Sequence, residues 1–226
     1  MTFSICAYDR ATGQVGVGAL TAMMGVGKLV SHAEPRVGAA ATQAPINPYL
    51  AIDSLELVAS GQTAQDAVET VIGRDDGRAF RQVGLVGRDG STAAWTGSEL
   101  EGWAGHLASD DVIAQGNRLV GPETLEATLD GFSAKPDLDL AHPLLYALEA
   151  GEATGADRLG ERSGAILVME TEEYPVWDVR VDLSDDPAAS LRELFHQFEE
   201  EILPQIRKMS TRDDYVGQMT REQIAS

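Results

Sequence analysis

The chain has 226 residues and a mass of 24.1 kDa, enough for one large hydrophobic core and more naturally one domain than two. Lys+Arg 17 against Asp+Glu 36 gives a net charge of -19, a field that repels phosphate backbones and anionic lipid and so excludes a nucleic-acid role for the bulk of the surface. Cys6 is the single cysteine, which excludes an internal disulfide and a cysteine-based zinc cluster and suits a reducing compartment.

The first stretch carries the chemistry. Met1 is followed by Thr2 and then by the β-like segment Phe3 to Tyr8. Removal of Met1 would make Thr2 the terminus, placing a hydroxyl nucleophile and an α-amine of ordinary pKa about 7.7–8.0 on one residue. That is the economy of an N-terminal threonine hydrolase. Most second-position threonines do no chemistry, so the case rests on the remainder of the chain.

Asp9-Arg10-Ala11-Thr12-Gly13 has hairpin length and leads into a strand over Gln14 to Thr21. Its small residues invite the close approach of another backbone or a ligand. Gly16-Val17-Gly18 lacks the third glycine and helix of a dinucleotide fingerprint, and Gly27-Lys28-Leu29 lacks the hydroxyl residue of a phosphate-binding loop. A third strand is expected over Arg36 to Gln43. Helices follow from Asn47-Pro48 to Gly61 and from a Thr63 cap with Asp66 at the capping-box position.

Strands over Arg81–Gly87 and Ser91–Thr96 turn at Arg88-Asp89-Gly90. Extended stretches surround Trp103 to His106 and Val112 to Leu119. Helices from Pro122 to Phe132 and Leu140 to Gly151 precede a turn-rich loop, then strands over Ser163–Glu170 and Val176–Leu183. Pro187 opens a long helix striped with Leu191, Leu194, Phe195, Phe198, Ile202 and Ile206, which Pro204 should kink or end. That stripe and the polar tail predict a homodimer or larger homo-oligomer. One domain over 1–208 and a polar tail over 209–226 are expected. The first residues lack the pattern of a secretory leader, and nowhere do eighteen apolar residues run together. The expectation is a soluble, cytoplasmic protein with no membrane partner.

Strands in two groups with helices between them predict an α+β fold, an αββα four-layer sandwich of two stacked antiparallel sheets. The order resembles the N-terminal nucleophile (Ntn) hydrolases. Asp157 shortly before Ser163-Gly164, and Gly116-Asn117 in the strand before the helix pair, are similar to motifs of proteasome β-subunits. A resemblance covering nearly the whole chain rests on Thr2-Phe-Ser-Ile5, Gly38-Ala-Ala-Ala-Thr42-Gln43, Arg81-Gln-Val-Gly84, Thr96-Gly97, Trp103-Ala-Gly-His106, Gln115-Gly-Asn117 and Arg180-Val-Asp182. By these the chain resembles the bacterial and archaeal family known as domain of unknown function ten-twenty-eight, which is placed among Ntn-like folds and has no established substrate. The chain departs from the family pattern at Ala22, Leu100 and Arg118, where Arg, Cys and Met are common.

The resemblance implies an amidohydrolase acting on a small amide or peptide through Thr2. Asp157 and Ser163 would orient the amine, and Asn117 would act as an oxyanion or positioning donor. Ser4, Thr42, Gln43 and His106 are candidate pocket residues. Ser4 shares a strand face with Thr2, Thr42 and Gln43 end a neighbouring strand, and His106 follows Trp103. Lys28 is most simply a solvated lysine. The four histidines have no ligand spacing, so no metal or other cofactor is expected. The other reading is a non-catalytic relative that keeps the fold to bind a small molecule or a protein partner.

Overall fold

Thr2–Tyr8 (β1) and Val15–Thr21 (β2) form the expected hairpin, with Thr2 opposite Thr21 and Tyr8 opposite Val15. The computed structural model describes residues 1–134, 138–156 and 160–218. Ser31–Glu34 (β3), a strand absent from the sequence reading, pairs with Gly38–Gln43 (β4), which begins two residues later than expected. Gln82–Gly87 (β5) and Thr92–Thr96 (β6) complete a sheet of order β3-β4-β5-β6. Trp103–Ser109 (β7), Val112–Leu119 (β8), Ser163–Met169 (β9) and Trp177–Val181 (β10) join the hairpin in a sheet of order β10-β9-β2-β1-β8-β7. Among the described residues every strand pairing is antiparallel, and β1 lies inside its sheet between β2 and β8.

Strand alternation sorts the side chains into three layers. Cys6, Val17, Ala19, Ala39, Ala41, Val86, Ile113 and Ala165 meet between the sheets. On the far side of the smaller sheet, Ala40, Val83 and Leu85 pack under Tyr49–Ala59 (α1) and Ala64–Arg74 (α2). On the far side of the larger sheet, Phe3, Ile5, Leu20 and Ile166 pack under Glu123–Ser133 (α3), Ala141–Glu152 (α4) and Pro187–Glu201 (α5). The result is an αββα sandwich of two stacked antiparallel sheets.

Local chemistry explains the helix boundaries. Thr63 accepts from the Asp66 N–H at 3.1 Å, and Asp186 accepts from the Ala189 N–H at 3.0 Å ahead of Pro187. Asn47 accepts from the Tyr49 N–H at 3.2 Å, so α1 starts at Tyr49, just after Pro48. Pro204 ends α5, and a short turn over Leu203–Ile206 (α6) follows. Gly16 and Gly18 serve the contact with α4: a Cβ on Gly16 would meet Leu144 Cδ1 at 2.9 Å and the Leu167 carbonyl oxygen at 2.9 Å. The space left by these glycines is filled by helix side chains.

The stripe on α5 is largely consumed inside the chain. Leu191 and Phe195 are buried, and Phe195 stacks on Trp177 with ring centres 4.4 Å apart. The start of the tail docks onto the β9–β10 connection, where Arg212 pairs with Glu173 and Tyr174 donates to the Ser210 carbonyl at 2.9 Å. Among the described residues, no helix is long and apolar enough to cross a membrane.

Candidate active site

The register aligns four polar side chains across the end of the larger sheet. Asn117 of β8 lies opposite Thr2, Thr2 opposite Thr21, and Thr21 opposite Ser163 of β9. All four are buried, Thr2 at 8% and Asn117 at 4% exposure, which leaves those two bordering solvent. Thr2, Asn117, Met1, Met23, Ala44, Pro45, Phe80, Glu99, Leu100, Glu101 and Arg118 line a cleft of about 340 Å³. A concave site of that size matches a small organic ligand.

The Thr2 and Thr21 hydroxyl oxygens lie 2.9 Å apart. Thr21 donates to the Met1 carbonyl and accepts, at 3.4 Å, from the Met23 N–H. Its proton is thus directed to Met1, and the Thr2 hydroxyl is the donor in the pair. Thr21 was not singled out from sequence. Counting the register back from the Asp9–Gly13 loop places it opposite Thr2, and that count is the signal that could have found it.

Behind the row runs a buried chain of carboxamides. Gln43 donates to the Thr2 carbonyl at 3.1 Å and to Gln82 Oε1 at 2.8 Å, while its own oxygen accepts from Ser4 at 2.7 Å. Asn117 Nδ2 donates to Gln82 Oε1 at 3.0 Å. Gln82 Nε2 in turn reaches the Gly116 carbonyl at 2.8 Å, the Gly105 carbonyl at 3.0 Å and Thr96 Oγ1 at 3.1 Å. Gln115 donates to the Ala41 carbonyl at 2.8 Å and to Ser4 at 3.3 Å. This chain stitches the two sheets together and fixes the peptide of Thr2 from below.

The candidates named from sequence separate accordingly. Thr2 and Asn117 come together at the cleft. Asp157 lies outside the described residues. Ser163 sits two strands from Thr2, and its hydroxyl donates to the Met23 carbonyl at 2.6 Å and accepts from the Val26 N–H at 3.1 Å. It therefore holds the loop that carries a cleft wall and makes no contact with Thr2. Ser4 and Gln43 do not line the cleft, because both are fully buried inside the amide chain.

Thr42 also corrects the expectation of a pocket residue. It faces the helices, where strand alternation turns it away from Gln43, and donates to the Asn47 carbonyl at 3.1 Å. His106, on the edge strand β7, pairs with Thr96 Oγ1 at 2.9 Å and stays off the cleft wall; partial burial holds its pKa below that of an ordinary histidine. Lys28 pairs with Asp182 at 3.3 Å. Two of the three departures from the family pattern, Leu100 and Arg118, line the cleft.

Cys6 is no rival nucleophile. It is buried between the sheets, donates to the Gly84 carbonyl at 3.7 Å, and burial pushes its thiol pKa far up. Among the described residues, no group of three His, Cys, Asp or Glu gathers as metal ligands would. Of four non-glycine residues in left-handed conformations among the described residues, Ala44 at φ 70° and Arg118 at φ 56° line the cleft, while Arg36 and Asp111 sit in tight turns between strands. Non-glycine residues seldom adopt that region, and such strain concentrates at functional sites.

No curated protein matches the chain significantly. Anbu, an ancestral beta-subunit from Yersinia bercovieri, superposes loosely, with a TM-score of 0.40 and 12% identity over 90% of this chain and 97% of that one. The crystal structure of protein SPO2555 from Silicibacter pomeroyi is far more similar, with a TM-score of 0.89 and 31% identity over 97% of this chain and 96% of that one. That structure is itself matched to the family of unknown function DUF1028. The same family's model spans residues 2–191 here, from Thr2 to the buried Leu191 of α5, and the chain belongs to the family of unknown function DUF1028.

Proposed function

We propose that the protein is an Ntn amidohydrolase that cleaves a small amide or peptide through Thr2 once Met1 has been removed. The observation that supports this reading most is the Asn117–Thr2–Thr21 row, which sets a hydroxyl at the mouth of a cleft with a second hydroxyl 2.9 Å away. Loss of Met1 removes the carbonyl that takes the Thr21 proton and leaves an α-amine beside both oxygens. Thr2 Oγ1 then attacks the amide carbonyl as its proton passes to the amine, directly or through Thr21. Asn117 spends one N–H on Gln82 and keeps the other for the developing oxyanion. Ser163 shapes the wall by holding Met23, and Asp157 is assigned to the amine by the resemblance to proteasome β-subunits.

The test is a panel of small amides, acylated amino acids and muropeptides. Thr2→Ala should abolish turnover with folding intact, and Thr2→Ser should keep part of the rate. Asp157→Asn should lower it by about 10²–10⁴, the scale of an acid–base partner. The rate kcat/KM should rise with pH through about 7–8, because the amine is a base only when deprotonated. Wild-type turnover by Thr2→Ala would place the nucleophile elsewhere.

One observation favours the second reading, a non-catalytic relative that binds a small molecule or a protein. Met1 is seated in the fold, buried and held by Thr21 through its carbonyl, and a retained Met1 turns the required amine into an amide. We also propose a cytoplasmic homo-oligomer. The exposed apolar side chains Met24, Leu29 and Leu183 support association, which sedimentation above 24.1 kDa would check.

A further inference from the structure

Resting on the Thr2 reading, we infer that the amide is an N-acyl amino acid, with its carboxylate held by Arg118 and its acyl chain laid on the apolar wall of the cleft. Strands β7 and β8 pair through a β-bulge at Arg118. Ala104 pairs with Asn117 and Trp103 with Leu119, so Arg118 is the extra residue of β8. It takes φ 56°, a left-handed conformation in which such a bulge ordinarily places glycine. An arginine there carries a strain that a surface strand has no reason to keep, and a bulge re-aims its side chain.

Arg118 directly follows Asn117, the register partner of Thr2, and it is the one Lys or Arg among the residues lining the cleft. Among the described residues, its guanidinium makes one hydrogen bond, of 2.6 Å from Nη2 to Glu101 Oε2, with both side chains more than half exposed. An ion pair so exposed is weak and readily exchanged, and one bond leaves the planar fork free to grip a carboxylate through two. Since the α-carboxylate of an N-acyl amino acid lies two bonds from the amide nitrogen, Arg118 stands near where the leaving group must be held. The acyl chain has its own surface in Met23, Pro45, Phe80 and Leu100. Met23 and Phe80 are 66% and 50% exposed, apolar area that a bound chain would cover.

The chemistry balances as a hydrolysis. Thr2 Oγ1 forms an ester with the acyl carbon, the C–N bond breaks, and the amino acid leaves with the proton taken up by the α-amine. Water then cleaves the ester, giving the carboxylic acid and restoring Thr2.

Binding to the full-length Thr2→Ala chain, measured by calorimetry at fixed ionic strength, tests the inference without turnover. N-hexanoylglycine should bind about tenfold to a hundredfold tighter than N-hexanoylglycinamide, the scale of a charge-assisted pair. Arg118→Gln in the same background should abolish that preference and Arg118→Lys should restore part of it, with circular dichroism confirming that each folds. Equal affinity for acid and amide, no binding of either, or a preference that survives Arg118→Gln would overturn the inference. A preference for the acid with no turnover by a chain beginning at Thr2 would sink the nucleophile reading and leave the carboxylate site standing. Turnover of uncharged amides with no preference for the acid would do the reverse.

Discussion

On the proposed reading, Thr21 is the residue on which the chemistry at Thr2 turns. Its hydroxyl has two neighbours that matter, Thr2 Oγ1 and the Met1 carbonyl, and only the first survives removal of Met1. Thr21→Val keeps the shape and deletes that oxygen. On an amide substrate it should lower kcat by about tenfold to a hundredfold with KM little changed, since a lost proton path acts on the transition state more than on binding. Steady-state kinetics check this, and an unchanged kcat would remove Thr21 from the proton path. Thr2 is a candidate from its position, and Asn117 from the resemblance of Gly116-Asn117 to a motif of proteasome β-subunits. Arg118 was noticed only as a departure, because a left-handed bulge on an arginine leaves no mark in residue type.

At the scale of elements, the two sheets are joined by a polar bolt as well as by apolar packing. Gln82 of β5 makes five hydrogen bonds, to Gln43 in its own sheet, to Asn117 and the Gly116 and Gly105 carbonyls across the sandwich, and to Thr96. Gln82→Leu is close in volume and strands those partners in a dry interior, so urea unfolding should report a loss of about 2–5 kcal/mol. A loss under about 1 kcal/mol, the worth of one ordinary hydrogen bond, would show that water or neighbours replace the bolt. The sequence betrayed the strands that carry this network through their alternation, and the helices through Thr63, Asp186 and Pro187. It concealed β3, because Ser31-His-Ala-Glu34 is too short and too polar to alternate visibly. It also concealed the amide chain, since a glutamine buried against another sheet looks in sequence like a glutamine in water.

For the whole molecule, the central claim is that the fold exists to present a free Thr2 at the end of an internal strand. The net charge of -19 sets copies of the chain against one another at long range, so association must come from local apolar contact. The α5 stripe that suggested such contact packs on Trp177 within the chain, which shows how an amphipathic helix in a sequence does not reveal what it will cover. The most direct measurement is mass spectrometry of the protein isolated from the host that makes it, with peptide mapping after exposure to an acylating β-lactone. The account predicts a chain lighter by one methionine residue, with the adduct on the peptide that begins at Thr2. An N-terminal peptide that still carries Met1 and no adduct would contradict it.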